Sequence, residues 1–262
     1  MGRKILVTSG KGGVGKTTVV AGLARALASI NATVCVVDGD IGLNNLDLLM
    51  GAENKVVYDI VDCMSGKCQI KQAIIKDSFL DNLFIMPAGK NWPSKQIFSF
   101  DCIVDKLASI FDFVVVDSPA GIDSGYSAAS KPCREAIVVV TPHISSIRDA
   151  SKMLSILSAD NSKISVKIVV NRIRGDLVAS GEMMSHRDIS GLLNADLLGV
   201  LPESDRYNLS SSFDFAFGSK DELSAAFKIL AQNIVDDKQV EFDYLSRYKG
   251  FAGLIRRRLK RL

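Results

Sequence analysis

Residues Thr8–Thr18 read TSGKGGVGKTT. Gly10 through Thr17 fits G-x-x-x-x-G-K-[ST], a glycine loop that wraps nucleotide phosphates. The loop follows the apolar run KILVTS (4–9) and precedes an amphipathic segment (16–30), so strand, loop and helix come in the order required. Glycines such as Gly10, Gly12, Gly13 and Gly15 let the backbone approach phosphate with its N–H groups turned inward, Val14's included. The helix that opens at Thr18 adds a dipole that favours anions. Lys16 is predicted to bridge the β- and γ-phosphates, and the Thr17 hydroxyl to ligate Mg²⁺. Such a loop needs one lysine, and this one carries a second, Lys11. At the tip of the loop it can hardly fold back beside Lys16. It can reach a nucleotide on a facing subunit, where positive charge stabilises the γ-phosphate in transfer. A solvated loop lysine is the alternative.

Outward from the loop, short apolar runs recur, each followed by a turn and a helical pattern. They are TVCVVD (33–38), NLFIMPA (82–88), DFVVVD (112–117), AIVVVT (136–141), VKIVVN (166–171) and LLGVLP (197–202). Most do not alternate apolar with polar, as expected of strands buried on both faces of a parallel sheet. Amphipathic segments at 93–110, 145–158 and 222–235 fill the gaps. The pattern predicts an α/β, doubly wound, mostly parallel sheet flanked by helices. Ligands of such sheets bind beyond the carboxyl ends of the strands. Asp38 and Asp40 follow the second run, Asp117 ends FVVV, and Asn171 follows KIVV. Asp117 suits magnesium binding through water. A carboxylate at Asp40 can position an attacking water. The amide of Asn171 suits an adenine edge. Turn or capping roles are the alternatives for all four.

The 262-residue chain is 47% apolar and 23% charged, an ordinary globular composition. No run approaches the roughly 20 apolar residues needed to cross a bilayer. The strand pattern begins at Lys4, which leaves no room for a leader, so a cytoplasmic location is expected. The five cysteines include no C-x-x-C pair. Cys35 reads as core, and Cys63 and Cys68 are the only near pair. With two histidines in the chain a zinc site there is not expected, and reduced structural thiols are.

Charge is blocked: residues 247–262 carry seven Lys and Arg and no acid, so the net +3 leaves −4 on residues 1–246. Within YLSRYKGFAGLIRRRLKRL (244–262), Tyr244, Tyr248, Phe251, Ile255, Leu259 and Leu262 fall at spacings of three and four, widened by Ala252 and Leu254. Arg256, Arg257, Arg258 and Lys260 cover most of the rest. An apolar stripe with basic flanks predicts a helix lying in an anionic membrane surface. Two such tails on a dimer gain avidity of about 10²- to 10⁴-fold over one. The reading divides the chain into an ATPase domain, 1–240, and a membrane-targeting helix, 244–262. A packed C-terminal helix or a nucleic-acid arm are the alternatives.

KGGVGKTT resembles the deviant Walker A box of the MinD/ParA ATPase family. VVDGDIGLNNLDLLMG, FVVVDSPAGID, VVVTPHISSIRDASKML, IVVNRI and LLGVLPES extend the match over most of residues 3–205, and together they resemble the MinD branch most. The resemblance implies an ATP hydrolase, slow without an activator, that dimerises around ATP. Lys11 and Lys16 would bind phosphate and Asp40 serve hydrolysis. Asp117 and Thr17 would support Mg²⁺, with Asp38 acting through water, Asn171 and Pro202 would lie by the adenine, and Arg172 would also bind the nucleotide. Ser145 and Asp149, in SSIRDA, would contact regulators: a MinC-like division inhibitor and a MinE-like activator. The protein would cycle between cytoplasm and the inner face of the cell membrane and place the division site. Asn44 and His143 stand where the family commonly has arginine and glutamate, which puts regulator fit in question. Within the family, a flagellar-placement regulator or a ParA-type DNA segregation ATPase are the alternatives. The acidic body argues against DNA binding, and no specific nucleic acid is expected. An iron–sulfur carrier is disfavoured because DSPAGIDSG lacks cysteine, and an ATP-locked scaffold would not need Asp40.

Overall fold

A computed structural model of the chain describes residues 1–43, 45–119, 121, 124–159, 164–204 and 221–248. Eight strands form one sheet in the order β3-β4-β2-β5-β1-β6-β7-β8. They are β1 (Arg3–Thr8), β2 (Val34–Asp38), β3 (Ile75–Lys76), β4 (Leu83–Met86), β5 (Phe113–Asp117), β6 (Glu135–Val140), β7 (Ser165–Ile173) and β8 (Leu197–Pro202). All pair in parallel except β3 with β4. The seven predicted strands are all present, each within two residues of the expected bounds. β3 has no counterpart in the prediction, because two residues cannot show a period.

The unbroken apolar runs follow from burial on both faces. Along β1, Ile5 and Val7 enter one core layer and Leu6 the other; along β5, Val115 and Val116 divide in the same way. The first layer lies under α1 (Lys16–Ser29) and α10 (Glu222–Asp236). The second lies under α5 (Phe100–Ala108), α6 (Ser124–Ser130), α7 (Ile144–Ala159) and α9 (His186–Leu193). Each fully buried Val, Leu or Ile is worth about 1.5–3 kcal/mol. α1 is buried over most of its circumference and holds a buried Arg25, whose guanidinium lies 3.5 Å from Asp77 at the end of β3. That ion pair ties the antiparallel edge strand to the central helix.

The segment predicted as a helix from residue 93 becomes helical only at Phe100. Pro93 and Ser94 precede an N-cap at Ser99, while the Ile97 and Phe98 amides both donate to the Met64 carbonyl. Short helices α2 (Leu46–Leu49), α3 (Ile60–Met64), α4 (Ile70–Ala73) and α8 (Gly175–Ala179) complete the described fold. None of them, nor α6 or α9, was among the predicted helices.

The start of the predicted tail helix needs correction. Tyr244 is 5% exposed and belongs to the second core layer. Its hydroxyl lies 2.7 Å from Nδ1 of His186. Arg247 pairs with Glu222 at 2.8 Å, and the Tyr248 ring packs on Gly175. These residues seal the domain, so Tyr244 does not open a membrane stripe. Phe251, Leu254, Ile255, Arg256, Arg257, Arg258, Leu259, Lys260 and Leu262 lie outside the described residues. Among the described residues, no helix is long and apolar enough to cross a membrane.

Candidate nucleotide site

The parallel strands deliver the polar residues to one edge. β1 runs into the glycine loop, β2 ends at Asp38, β5 at Asp117 and β7 carries Asn171. Asp38 and Asp117 stand directly opposite each other in the β2–β5 register. A cleft of about 520 Å³ opens at this edge, lined by Ser9, Gly12, Gly13 and Gly15–Thr18 of the loop and by Asp40, Asn45, Leu48 and Arg172. A larger cleft, about 820 Å³, opens at the opposite edge beside Lys4, Lys131 and Arg134 and contains no residue of the loop.

Loop geometry explains the glycines. Gly15 caps α1 with φ 88°, and a side chain there would lie 2.5 Å from the Asn171 amide nitrogen. That nitrogen donates to the Val14 carbonyl at 2.8 Å. Asn171 is 6% exposed, and one N–H of its amide supports the phosphate loop from below. Gly10 meets a different neighbour: a methyl group on it would sit 2.1 Å from the Asp149 carbonyl oxygen. The loop therefore rests directly on α7, the helix expected to meet regulators.

The two lysines of the loop occupy opposite environments. Lys16 is buried and its Nζ lies 2.5 Å from Oδ1 of Asp117. Lys11 is exposed, its carbonyl accepting from the Ser9 hydroxyl. Thr17 also hydrogen-bonds Asp117 through its side chain. Asp38 accepts from the Asp40 and Leu46 amides at 2.9 and 3.3 Å. Burial, with the Asp117 charge added, pushes the Asp38 carboxyl up to about 7. Burial also raises Asp117, against the opposing pull of Lys16.

Two buried carboxyl groups thus face each other, with one buried ammonium paired to Asp117 and two backbone amides donating to Asp38. This local excess of negative charge fits a divalent cation, with Thr17 supplying a hydroxyl and Asp117 and Asp38 supplying carboxylates. Asp40, half-buried, follows Asp38 on the wall of the cleft.

Arg172 adopts φ 59° on the cleft wall, a left-handed conformation uncommon outside glycine and enriched at functional sites. Pro202 ends β8 opposite Ile173, next to this corner. The structure thus lines one cleft with Gly12, Gly13, Gly15–Thr18, Asp40 and Arg172, while Asp117 meets it through Lys16 and Asn171 through the Val14 carbonyl. On α7, Ser145 is exposed and Asp149 half-buried, 3.4 Å from Lys152. Ile144, 74% exposed, stands beside them, and His143 is exposed at the start of the helix. Asn44 lies outside the described residues.

Sequence reasoning missed Asn45, Leu48 and Leu49 of the cleft wall. They sit on or beside α2, one helical turn long, which leaves no periodicity to read. The apolar cluster LDLLM after Asp40 was the available signal.

The family profile of the CobQ/CobB/MinD/ParA nucleotide binding domain matches residues 5–214. The septum site-determining protein MinD of Synechocystis is 38% identical over 99% of this chain and 99% of its own length. That of Bacillus subtilis is 40% identical over 90% of both. Among solved structures, MinD in the MinC:MinD cell division complex of Aquifex aeolicus superposes with a TM-score of 0.80 at 34% identity, covering 90% of this chain and 97% of that one. MinD of Pyrococcus horikoshii, complexed with Mg-ADP, gives 0.77 at 28% identity over 89% and 96%. With a nucleotide-type cleft at the strand ends and relatives matched along nearly its whole length, the chain belongs to the MinD family within the CobQ/CobB/MinD/ParA group of nucleotide-binding proteins.

Proposed function

We propose that the chain is a Mg²⁺-dependent ATPase that dimerises around ATP, binds an anionic membrane through its C-terminal residues and helps place the division septum. The observation that carries this reading is the opposite placement of two lysines on one loop. Lys16 is buried on Asp117, positioned for its own subunit's phosphates, while Lys11 is exposed at the loop tip. An exposed cation there suits a nucleotide held by a second subunit.

Within one site, the loop amides and Lys16 bind and orient the phosphates. Thr17 and Asp117 would hold Mg²⁺, with Asp38 acting through water. The ion would neutralise charge on the phosphate oxygens. Asp40 positions and deprotonates water, and Lys11 of the facing subunit completes the charge stabilisation. Turnover is slow until an activator bears on α7, since that helix touches Gly10 of the loop. The MinC:MinD complex of the Aquifex relative supports a MinC-like inhibitor as partner. A MinE-like activator, meeting Ser145 and Asp149, belongs to the same proposal.

Membrane attachment rests on the sequence of residues 249–262, with Phe251, Leu254, Ile255, Leu259 and Leu262 apolar and Lys249, Arg256, Arg257, Arg258, Lys260 and Arg261 basic. The test is sedimentation with anionic liposomes in ATP and in ADP, using the full chain and a chain ending at Tyr248. Pelleting that requires ATP and residues 249–262 supports the switch. Equal pelleting in both nucleotides removes the switch, and none removes the membrane role.

A further inference from the structure

Residues 63–68 read CMSGKC and close the C-terminal end of α3. The Gly66 amide donates to the Cys63 carbonyl at 3.1 Å and the Lys67 amide to the Asp62 carbonyl at 2.9 Å, with Gly66 at φ 74°. This is the paired-bond helix end that a left-handed glycine permits. The Ser65 hydroxyl donates to the Val61 carbonyl at 2.8 Å, and Lys67 pairs with Asp62 at 3.1 Å. From outside, the Ile97 and Phe98 amides donate to the Met64 carbonyl at 2.8 and 3.0 Å. The turn is thus braced from several directions by bonds that do not involve sulfur.

Its effect is to hold Sγ of Cys63 and Sγ of Cys68 3.4 Å apart. A disulfide needs about 2.05 Å, so closing the bond asks for little more than about 1.4 Å of side-chain movement. The two thiols differ in access: Cys63 is 2% exposed and Cys68 is half-buried. Among the described residues no group of three or more His, Cys, Asp or Glu side chains could hold a metal ion. The pair therefore has the geometry of a redox dithiol and lacks the ligand count of a metal centre.

We propose that Cys63 and Cys68 form a thiol–disulfide exchange site, in which Cys68 is attacked first by a small-molecule disulfide and Cys63 resolves the adduct into an intramolecular disulfide. In the first step the Cys68 thiolate attacks one sulfur of RS–SR, the S–S bond breaks, and RS⁻ leaves and takes a proton. In the second, the Cys63 thiolate attacks Sγ of Cys68 and expels the second RS⁻, which is also protonated. Two protein thiols are oxidised and one external disulfide is reduced to two thiols. The second step is intramolecular and held near its reacting distance, which favours it over a lasting adduct. Burial raises both thiols above the ordinary cysteine range. Exchange is therefore slow at neutral pH, and the rate rises roughly tenfold per pH unit as the thiolate fraction grows.

The test treats the folded full chain with oxidised glutathione, blocks remaining thiols by alkylation and digests with trypsin. Cleavage after Lys55, Lys67 and Lys71 separates Cys63 from Cys68, so a disulfide between them joins fragments 56–67 and 68–71. The joined pair is expected as the main product at these residues, released by dithiothreitol and forming faster at pH 8 than at pH 7. Cys63→Ser should keep glutathione on Cys68, and Cys68→Ser should leave Cys63 unmodified. Cys102, also half-buried, serves as the internal comparison and is expected to stop at a mixed disulfide. Because the wild-type digest needs no variant, a variant that fails to fold does not spoil the result. Glutathione remaining on Cys68 of the wild type with no joined fragments, or first attack at Cys63, would overturn the proposal.

Discussion

Lys16 and Asp117 form a buried ion pair, Nζ to Oδ1 at 2.5 Å, that bolts the phosphate loop to the end of β5. Both side chains are largely withdrawn from water, so neither can lose its partner cheaply. Removing the cation leaves Asp117 buried beside Asp38 with no countercharge and only the Thr17 hydroxyl bond. Lys16→Met is therefore expected to cost about 3–5 kcal/mol in urea unfolding. Adding Asp117→Asn should recover a large part of that loss, although the double variant still cannot bind ATP. A Lys16→Met protein as stable as the wild type would mean that the pair is not what holds the loop.

Lys11 behaves oppositely because it is exposed. Lys11→Ala should leave unfolding unchanged to within about 0.5 kcal/mol, as for an ordinary surface site. It should still bind ATP through Lys16 and the loop amides, yet fail to form ATP-dependent dimers. Sedimentation velocity in an Asp40→Ala background, where hydrolysis should be blocked under the proposed role of Asp40, separates dimer formation from turnover. Normal dimers from Lys11→Ala would remove the action across subunits.

Asp38 gives the site a pH signature. Burial beside Asp117 pushes its carboxyl up to about 7 in the fold, against 3.8 for an ordinary aspartate. Between those values the folded state holds a proton that the unfolded chain has released. Stability is therefore lost as pH rises from about 4 through 7, and levels off above. Asp117, also raised, acts with the same sign. In EDTA without nucleotide, the urea midpoint of the wild type should fall between pH 5 and pH 8 by more than that of Asp38→Asn. Identical pH slopes for the two proteins would show that Asp38 is ionised throughout.

How much of this was legible in the sequence depends on length and on period. Seven strands could be read because each is an apolar run of at least four residues ended by a turn. The edge that carries the candidate site could be read because a parallel sheet sends every strand end the same way, which brings Asp38 opposite Asp117. β3, α2 and α4 could not, since two to four residues carry no period. Nor could the partner of the Asn171 amide, a carbonyl 157 residues away. The Gly10–Asp149 contact was hidden for the same reason: glycine in this loop is already explained by phosphate, so nothing in the sequence signals that α7 also needs the space. Tyr244 misled because spacings of three and four fit a membrane stripe and a domain seal equally well, and only contacts such as that of its hydroxyl with Nδ1 of His186 separate them.

That last distinction fixes where the domain stops. The Tyr244 ring meets His186 edge-on at 5.4 Å, and Nε2 of the same histidine faces Oε2 of Glu241 at 3.2 Å, with Arg187 on the same carboxylate oxygen at 3.0 Å. Residues 241–248 are therefore clasped to α9, to Glu222 of α10 and to Gly175 of α8. Tyr244→Ala should cost about 3 kcal/mol, a fall of roughly 6–12 °C in melting temperature for a domain of this size. Tyr244→Phe keeps the packing and removes the hydroxyl beside Nδ1, at a cost of about 1–2 kcal/mol. A chain ending at Tyr248 keeps every one of these contacts and should melt with the full chain, while one ending at Asp243 should melt well below it. If the chain ending at Tyr248 melted as low as the chain ending at Asp243, residues 249–262 would be part of the folded domain, and the proposed membrane segment would have to be redrawn.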